Sequence, residues 1–288
     1  AAEKAFTESI TLFSTLREQF PEEASYRQEQ ANTRARYAAF LSKAGDNAAA
    51  RREYEEAVTM LEAVVKAAPT NVAARMLLAT EYNNLGIVVG RLGGDPLPDY
   101  QKSIAIRQQL VAQFPDERGY RYDLSVSEMN LSTLHLRQER YAEAERVLRR
   151  CLHELEQAPA TLQTEAEYRR ALAAAHLNLG YALEHQAKPT EAAAAYLAGV
   201  KVLERLVELY PQSVAARTML IDALNNLSKL RIAQGEYAAA VGSTESVVAI
   251  YRQLVEEFPE ETSYATLLAA RQKSLEQLRR IVMGLPPE

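Results

Sequence analysis

The stretch Tyr82-Asn83-Asn84-Leu85-Gly86 decides the fold, because it returns in altered form three more times along the chain. The other copies are Met129-Asn130-Leu131-Ser132, Leu177-Asn178-Leu179-Gly180 and Asn225-Asn226-Leu227-Ser228. Each copy carries Asn-Leu followed by glycine or serine, residues with almost no side chain. Self-similarity at a spacing of tens of residues is typical of repeat proteins, in which each copy is one small structural unit.

Prolines that close an apolar segment set the period of the repeat. Neighbouring copies are 44 to 52 residues apart, as the proline positions show: Pro21, Pro69, Pro115, Pro159, Pro211 and Pro259. Asn84, Asn130 and Asn226 lie fifteen residues after such a proline, whereas Asn178 lies nineteen after. Its repeat therefore has four extra residues. The outermost copies carry Arg36 and Ser274 instead, as expected for terminal repeats that act as caps.

Apolar residues recur at helical spacing between the prolines. Phe6, Ile10, Phe13 and Leu16 predict a first helix over 2–19, which Pro21 ends. Each later repeat is predicted to hold two helices, A and B. The predicted ranges are about 23–44 and 47–67, 71–92 and 97–113, 117–138 and 141–156, 162–187 and 190–209, 213–234 and 237–257, and a last helix over 261–283.

An all-α, right-handed α-solenoid of antiparallel helix pairs is expected, because one helix pair cannot bury its apolar stripe alone. A single array over 1–288 is predicted. Its segments are 1–21, the second helix of a truncated repeat, then the repeats 22–69, 70–115, 116–159, 160–211 and 212–259, and the capping helix 260–288. Since the first segment lacks a helix A, we expect the chain to be a fragment of a longer array.

Composition excludes several classes of function. The net charge of -5 and the pI near 5.6 argue against binding to nucleic acid, which requires a basic face. No apolar run reaches the roughly 18 residues that a membrane span needs. No secretory signal is visible, so a soluble, cytoplasmic protein is favoured, although the compartment stays open. The single cysteine, Cys151, excludes an internal disulfide.

No catalytic residue, metal ligand or cofactor site is predicted. The four histidines show neither HExxH spacing nor pairing at four residues. Cys151 is interpreted as a small core residue rather than a nucleophile. The glycine-rich segment 93–98 lacks the Lys-Ser/Thr of a phosphate loop and is interpreted as an irregular turn between helices. The chain is therefore not expected to be an enzyme.

The repeated motifs resemble the tetratricopeptide repeat family. Its helix A carries a Leu-Gly pair, matched by Leu85-Gly86 and Leu179-Gly180, with Leu131-Ser132 and Leu227-Ser228 as variants. Its helix B carries a small residue and a large one four positions later. The matching pairs are Ala50 and Tyr54, Ala144 and Leu148, Ala192 and Tyr196, and, as a poor match, Ala240 and Thr244.

The period departs from that family, since it averages about 48 residues instead of about 34. Both helices of a repeat must therefore be longer. Long-period repeats with Phe-Pro, Tyr-Arg and Asn-Leu-Gly look similar to the cargo-binding region of kinesin light chains. They also look similar to repeat regions of bacterial serine/threonine protein kinases. The resemblance implies that the A helices line a concave surface and that the partner is a protein or peptide.

Four asparagines are the candidate peptide-binding residues: Asn84, Asn130, Asn178 and Asn226. On adjacent A helices about 8–10 Å apart, each would meet about every third residue of an extended peptide, which rises about 3.3 Å per residue. An amide side chain both donates and accepts, so it can bind peptide groups of any sequence. The alternative interpretation is that each asparagine bonds within the array.

Five arginines form a second set at an equivalent position: Arg27, Arg75, Arg121, Arg169 and Arg217. They are interpreted as structural residues that bond the end of the preceding B helix, for example near Glu208, Glu256 or Glu257, or as an anion-binding stripe. The family's clamp for a C-terminal carboxylate needs a lysine just before one asparagine and a second asparagine three residues after. That clamp is absent.

Three functions are consistent with these features. The first is a protein-interaction module that binds a peptide on the concave face. The second is a regulatory or sensory region of a larger bacterial signalling protein, such as a serine/threonine kinase. The third is a self-assembling scaffold, a homo-oligomer formed through the first helix, for which association should be abolished by a charge at Phe6 and Phe13.

Overall fold

The computed structural model describes residues 2–157 and 165–285. Within these ranges the backbone forms twelve α-helices and no strand. The all-α fold class of paired helices expected from the sequence is confirmed. None of the helices in the described ranges is both long and apolar enough to cross a membrane.

Every helix expected from the sequence is present, and most bounds lie within two residues of the predicted ones. The helices are α1 (Ala2–Gln19), α2 (Ala24–Lys43), α3 (Asn47–Ala67), α4 (Val72–Arg91), α5 (Leu97–Gln113), α6 (Arg118–Arg137), α7 (Tyr141–Glu156), α8 (Ala166–Glu184), α9 (Pro189–Leu209), α10 (Val214–Ala233), α11 (Tyr237–Glu257) and α12 (Thr262–Val282). The predicted boundary at Pro159 and the stop at Pro286 lie outside the described residues.

The turns from helix A to helix B share one backbone hydrogen bond, which spans five residues at the end of helix A. The first of them places Gly45 at a φ of 92°, and the Asp46 N–H donates to the Leu41 carbonyl five residues back. Such a left-handed residue after a helix satisfies the last carbonyls, and glycine adopts it without strain. Asp46 then caps α3, since its carboxylate accepts from the Ala49 N–H at 2.9 Å.

Aromatic-proline pairs stand at several turns from helix B to helix A. Phe114 and Phe258 leave the helical conformation, with φ near -130°, because the following proline disfavours helix in the residue before it. The Phe114 ring packs on Tyr120 at a centroid distance of 5.9 Å, and Phe258 packs on Tyr264 at 6.2 Å. These ring pairs tie the end of one helix pair to the start of the next.

The chain divides into two compact units, Ala1–Leu134 and His135–Glu288. In the first unit, alanines at the helix crossings pack with larger residues such as Tyr54, Leu61 and Tyr82 in a continuous apolar core. In the second unit, consecutive helices from α7 to α12 pack on one another around buried leucines and Tyr196. The repeat boundaries proposed from the sequence, and their joining in one array, remain predictions.

The small residue after each Asn-Leu lets a helix B approach closely. A Cβ on Gly86 would stand 2.7 Å from the Tyr100 ring, and one on Gly180 would stand 2.6 Å from Tyr196. The sequence did not indicate Tyr100, because the irregular 93–98 turn hides its position. In the Ser228 copy, the ring is replaced by Thr244, whose hydroxyl lies 3.1 Å from that of Ser228. This hydroxyl pair explains the poor match to the family pattern.

Candidate functional site

The four candidate asparagines are all half-buried, and each lies on an A helix at the same place in its repeat. Asn84 and Asn130 belong to the first compact unit, on α4 and α6. Asn178 and Asn226 belong to the second, on α8 and α10. Their alignment along one binding surface stays a prediction.

Asn84 is coupled to a buried acid. Its amide nitrogen donates to Glu81 Oε2 at 3.1 Å, and Glu81 is only 6% exposed. Burial raises the pKa of Glu81 to about 7, although the hydrogen bond from Asn84 and the positive charge of Arg107 oppose the shift. Since one hydrogen bond uses one of the two amide N–H groups, Asn84 keeps a donor and its carbonyl oxygen for another group.

Asn130 is held inside the helix array. Its amide nitrogen donates to Asn83 Oδ1 at 2.9 Å, and the same oxygen accepts from the Ser127 hydroxyl at 3.2 Å. Ser127 lies 2.8 Å from the Ser103 hydroxyl, so the chain of polar contacts joins α4, α5 and α6. Asn83 is 5% exposed and was not a candidate from sequence, although the Asn-Asn doublet marks it. The contact of the Asn130 amide nitrogen agrees with the alternative interpretation, in which an asparagine of this set bonds within the array.

The remaining two asparagines differ from each other. Asn178 is engaged within the chain. The side chain of Asn226 makes no hydrogen bond to any residue that the structure describes. Asn226 therefore resembles Asn84 in having hydrogen-bonding capacity left for a ligand.

A cavity of about 330 Å³ opens between the ends of α2 and α4, and Asn84 is one of the residues that line it. Its lining residues come from α2, α3 and α4: Ala39, Ser42, Lys43, Tyr54, Asn84, Ile87, Val88 and Arg91. The Arg91 guanidinium donates to the Ser42 hydroxyl at 2.8 Å. The cavity thus combines an apolar part with two cations, a hydroxyl and an amide.

Lys43 and Arg91 were not indicated as candidates, yet the sequence carries a signal for them. Both lie twenty-two residues after a repeat-closing proline, and Arg137 has the same offset. A basic residue at the end of a helix is usually explained by the helix dipole, which hides any second role.

Two arginines of the second set, Arg75 and Arg217, bond the helix B of their own pair. Arg217 is 2% exposed and binds Glu257 through two hydrogen bonds, at 2.8 and 2.7 Å. These bonds lower the pKa of Glu257. Arg75 binds Gln113 at 2.8 Å and Gln109 at 3.3 Å.

The structural interpretation therefore describes Arg217, whose partner Glu257 was among the acids named from the sequence, but for Arg75 and Arg217 the bonded helix B is the one that follows and not the preceding one. In an antiparallel pair the start of helix A lies beside the end of the helix B that follows it. Arg27, Arg121 and Arg169 are half-buried as well, and the Arg169 Nε has no hydrogen-bond partner among the described residues. An anion-binding role for the five arginines stays a prediction.

The residues that the structure describes form no site for metal binding or for thiol chemistry. The described residues contain no group of three or more His, Cys, Asp or Glu side chains that could hold a metal ion. Cys151 is fully buried in α7, where it packs as a core residue. Burial lowers the pKa of His135 and of His176, which favours their neutral forms.

Phe6 of the first helix is half-buried against α2. The Phe6 ring stacks on Tyr37 at a centroid distance of 5.4 Å and meets Phe40 at 5.9 Å. Phe13 is half-buried. The stripe that the sequence showed is the face that docks α1 onto α2, and the exposed apolar residue of α1 is Leu12, at 59% exposure.

Comparison with known proteins supports the repeat interpretation. Residues 129–158 match the family model for the tetratricopeptide repeat. No curated protein sequence matches the chain.

Solved structures resemble the whole fold. BtubC (BKLC) from P. vanneervenii has a TM-score of 0.60 at 16% identity, covering 88% of this chain and 90% of that one. The apo form of RapI has a TM-score of 0.55 at 11% identity, covering 88% and 85%. A putative kinesin light chain from Podosopora anserina has a TM-score of 0.47 at 16% identity, covering 80% and 98%. Residues 129–158 thus match a tetratricopeptide repeat, and the chain shares an all-α fold of paired helices with BtubC and RapI.

Proposed function

We propose that the chain is a protein-interaction scaffold that binds an extended segment of a partner protein along its A helices. The observation that supports this most directly is the cavity between the consecutive A helices α2 and α4, lined by Asn84. Amide side chains at this position can bond the peptide backbone in both directions. Repeat proteins of this kind use their stacked helices as extended binding surfaces.

The contacts divide the asparagines by role. Asn84 and Asn226 keep hydrogen-bonding groups available and are proposed to contact the peptide backbone. Asn130 donates across helices to the buried Asn83, whereas the Asn84 bond stays within α4, so we propose that Asn130 mainly positions α6 against α4. Asn178 is kept as a candidate contact on the same repeat position.

A selection experiment tests this function. Peptides would be selected from a random library on the immobilised chain and their affinities measured for Asn84→Ala, Asn226→Ala and the control Gln108→Ala. Gln108 carries the same amide group on an exposed B-helix position. We expect each asparagine variant to bind about fivefold more weakly, since a hydrogen bond of this kind is worth about 1 kcal/mol. Failure to select any peptide, or equal loss in the control, would rule the function out.

Two other functions remain predictions. A regulatory role within a larger bacterial signalling protein depends on a catalytic domain that is not in this sequence. Self-assembly through α1, with Phe6 and Phe13 as the residues to test, stays a prediction; Phe6 also packs on α2, and Leu12 is the large apolar residue that α1 exposes. Neither of these two functions requires a cofactor, a metal or a nucleic acid, and we propose none of these ligands.

A further inference from the structure

We infer that the cavity between α2 and α4 binds the side-chain carboxylate of a glutamate in the partner segment. This inference rests on the proposed function, because it requires a peptide to lie along the A helices. It adds a sequence preference that the asparagines cannot supply, since amides bind the backbone of any residue.

Charge supports a singly charged anion. Lys43 and Arg91 both line the cavity, and neither forms an ion pair with an acidic residue in the ranges that the structure describes. They are the last residues of α2 and α4, and each helix end contributes about half a negative charge. The two full positive charges therefore exceed the partial negative charges of the two helix ends by about one elementary charge. This surplus suits a carboxylate better than a phosphate dianion.

Tyr54 provides an independent reason to expect a ligand. Its side chain lines the cavity and is 3% exposed, yet its hydroxyl has no hydrogen-bond partner among the described residues. Burial raises the pKa of Tyr54 to about 12, so the hydroxyl keeps its proton and can donate. A carboxylate oxygen would accept a charge-assisted hydrogen bond from this donor, which is stronger than a bond between neutral groups.

The rest of the lining suits a glutamate side chain. Ala39, Ile87 and Val88 offer apolar contacts to its methylene groups, and Asn84 has an N–H left after bonding Glu81. Glu81 is the acidic group beside this amide, but with its pKa near 7 about half of it is uncharged at neutral pH. A volume of about 330 Å³ lies at the low end of ligand pockets, so a side chain fits better than a cofactor.

Three capped peptides test the inference on the full chain. The first is acetyl-Ala-Ala-Glu-Ala-Ala-amide, the second replaces Glu by Gln, and the third is the Gln peptide with a free C-terminal carboxylate. Nuclear magnetic resonance would follow the backbone amides of Ala39, Ile87 and Val88, which line the cavity. We expect saturable shifts with the glutamate peptide at an affinity at least about tenfold above the Gln amide, as for a charge-assisted hydrogen bond. Equal affinities, or equal binding by the free C-terminus, would overturn the glutamate assignment.

Two variants and one control examine the individual groups. Tyr54→Phe removes only the hydroxyl, and Arg91→Gln removes one cation of the cavity. Arg52→Gln removes the same charge at an exposed site on α3 that does not line the cavity. Affinity for the glutamate peptide should fall about tenfold in the first two variants and stay unchanged in the third. Wild-type affinity in both cavity variants would refute the inference, with thermal melting as the check that each variant is folded.

The two proposals can fail separately. If selected peptides bind in an Asn84-dependent way but the glutamate and glutamine peptides are equivalent, the glutamate pocket is wrong and the scaffold function stands. If no peptide binds in either experiment, both proposals are wrong.

Discussion

Single residues set how closely the helices of a pair approach. The Tyr196 ring lies against Gly180, and its hydroxyl donates to Glu184 at 2.8 Å. In the next copy the space left by Ser228 is taken by Thr244. The small residue and the facing residue therefore form one structural pair, whose sizes compensate.

Replacing Gly180 by alanine should destabilise the fold. The new Cβ would stand 2.6 to 2.9 Å from three atoms of the Tyr196 ring, so overpacking should cost about 1–3 kcal/mol. The matched control is Gly242→Ala in α11, where nothing lies within 4 Å of the added Cβ. There alanine should stabilise the helix by up to about 1 kcal/mol. Denaturant unfolding measures both changes, and a loss of stability of equal size in the two variants would contradict the paired-residue interpretation.

Two turns hold a left-handed residue that is not glycine. Ala187 has a φ of 55° where the next turn has Gly235 at 77°. The left-handed conformation costs alanine about 1–2 kcal/mol. Replacement by glycine recovers only part of this free energy, because glycine also increases the conformational entropy of the unfolded chain. We expect Ala187→Gly to raise the free energy of unfolding by about 0.5–1 kcal/mol and Gly235→Ala to lower it. Opposite signs in chemical denaturation would support this, and a destabilised Ala187→Gly would refute it.

Glu81 should make stability depend on pH. Its pKa is raised from 4.5 to about 7 in the folded chain, so the folded state binds more protons than the unfolded state between these values. Stability should therefore fall as pH rises from about 4.5 to about 7 and then level off for this group. Glu81→Gln should gain about 1–3 kcal/mol above pH 7 relative to wild type and little near pH 4.5. The control is Glu56→Gln, at an exposed position. Its effect on stability should not change between about pH 4.5 and about pH 7.

At the scale of helices, polar contacts join α4, α5 and α6. Asn83, Ser103 and Ser127 are all buried, and Asn130 adds a fourth group at the edge of the same chain of bonds. Such a network fixes the register between helices only when every member is satisfied.

Asn130→Ala should therefore act on stability more than on binding. It removes one donor to Asn83 and should cost about 1 kcal/mol, whereas peptide affinity should stay within about threefold of wild type. Asn84→Ala should show the reverse pattern. Unfolding curves and peptide titrations of the two variants provide the comparison, and an Asn130→Ala variant that melts normally but binds nothing would show that Asn130 is a ligand contact.

The bounds of the helices were largely predictable because their signals are local. Prolines and glycines mark most ends, and residues beside them have few backbone conformations to choose from. α8 is the exception: it begins at Ala166 rather than near 162, and Glu165 is extended with a ψ of 138°. It ends at Glu184 rather than 187 because no glycine announces the left-handed turn at Ala187.

At the scale of the whole molecule, self-association through α1 is a prediction that a single substitution can test. Leu12 is the large apolar residue that α1 exposes, so if α1 mediates self-association, Leu12→Lys should lower the mass measured in a light-scattering concentration series while leaving helicity unchanged. Phe6→Lys should instead loosen α1 from α2 and lower thermal stability, because it breaks the stack on Tyr37. A chain that stays monomeric at all concentrations would remove this function.

The candidate site was only partly predictable. The repeat position of the asparagines followed from counting residues after each proline, and all four lie half-buried on A helices. Their separate roles did not follow, because the partner of Asn130 is Asn83, forty-seven residues earlier in the chain. The cations Lys43 and Arg91 share a cavity for the same reason, since they come from neighbouring A helices.

By itself the sequence determined that this protein is a series of helix pairs, where most of those helices begin and end, and which residues occupy equivalent places. These features depend on backbone preferences and apolar spacing within one or two helical turns. Only the tertiary structure decided that Tyr100 faces Gly86, that Arg217 binds Glu257, and that Tyr54 lines a cavity together with Asn84. Such contacts depend on how helices pack side by side, and packing distances are not encoded in local spacing.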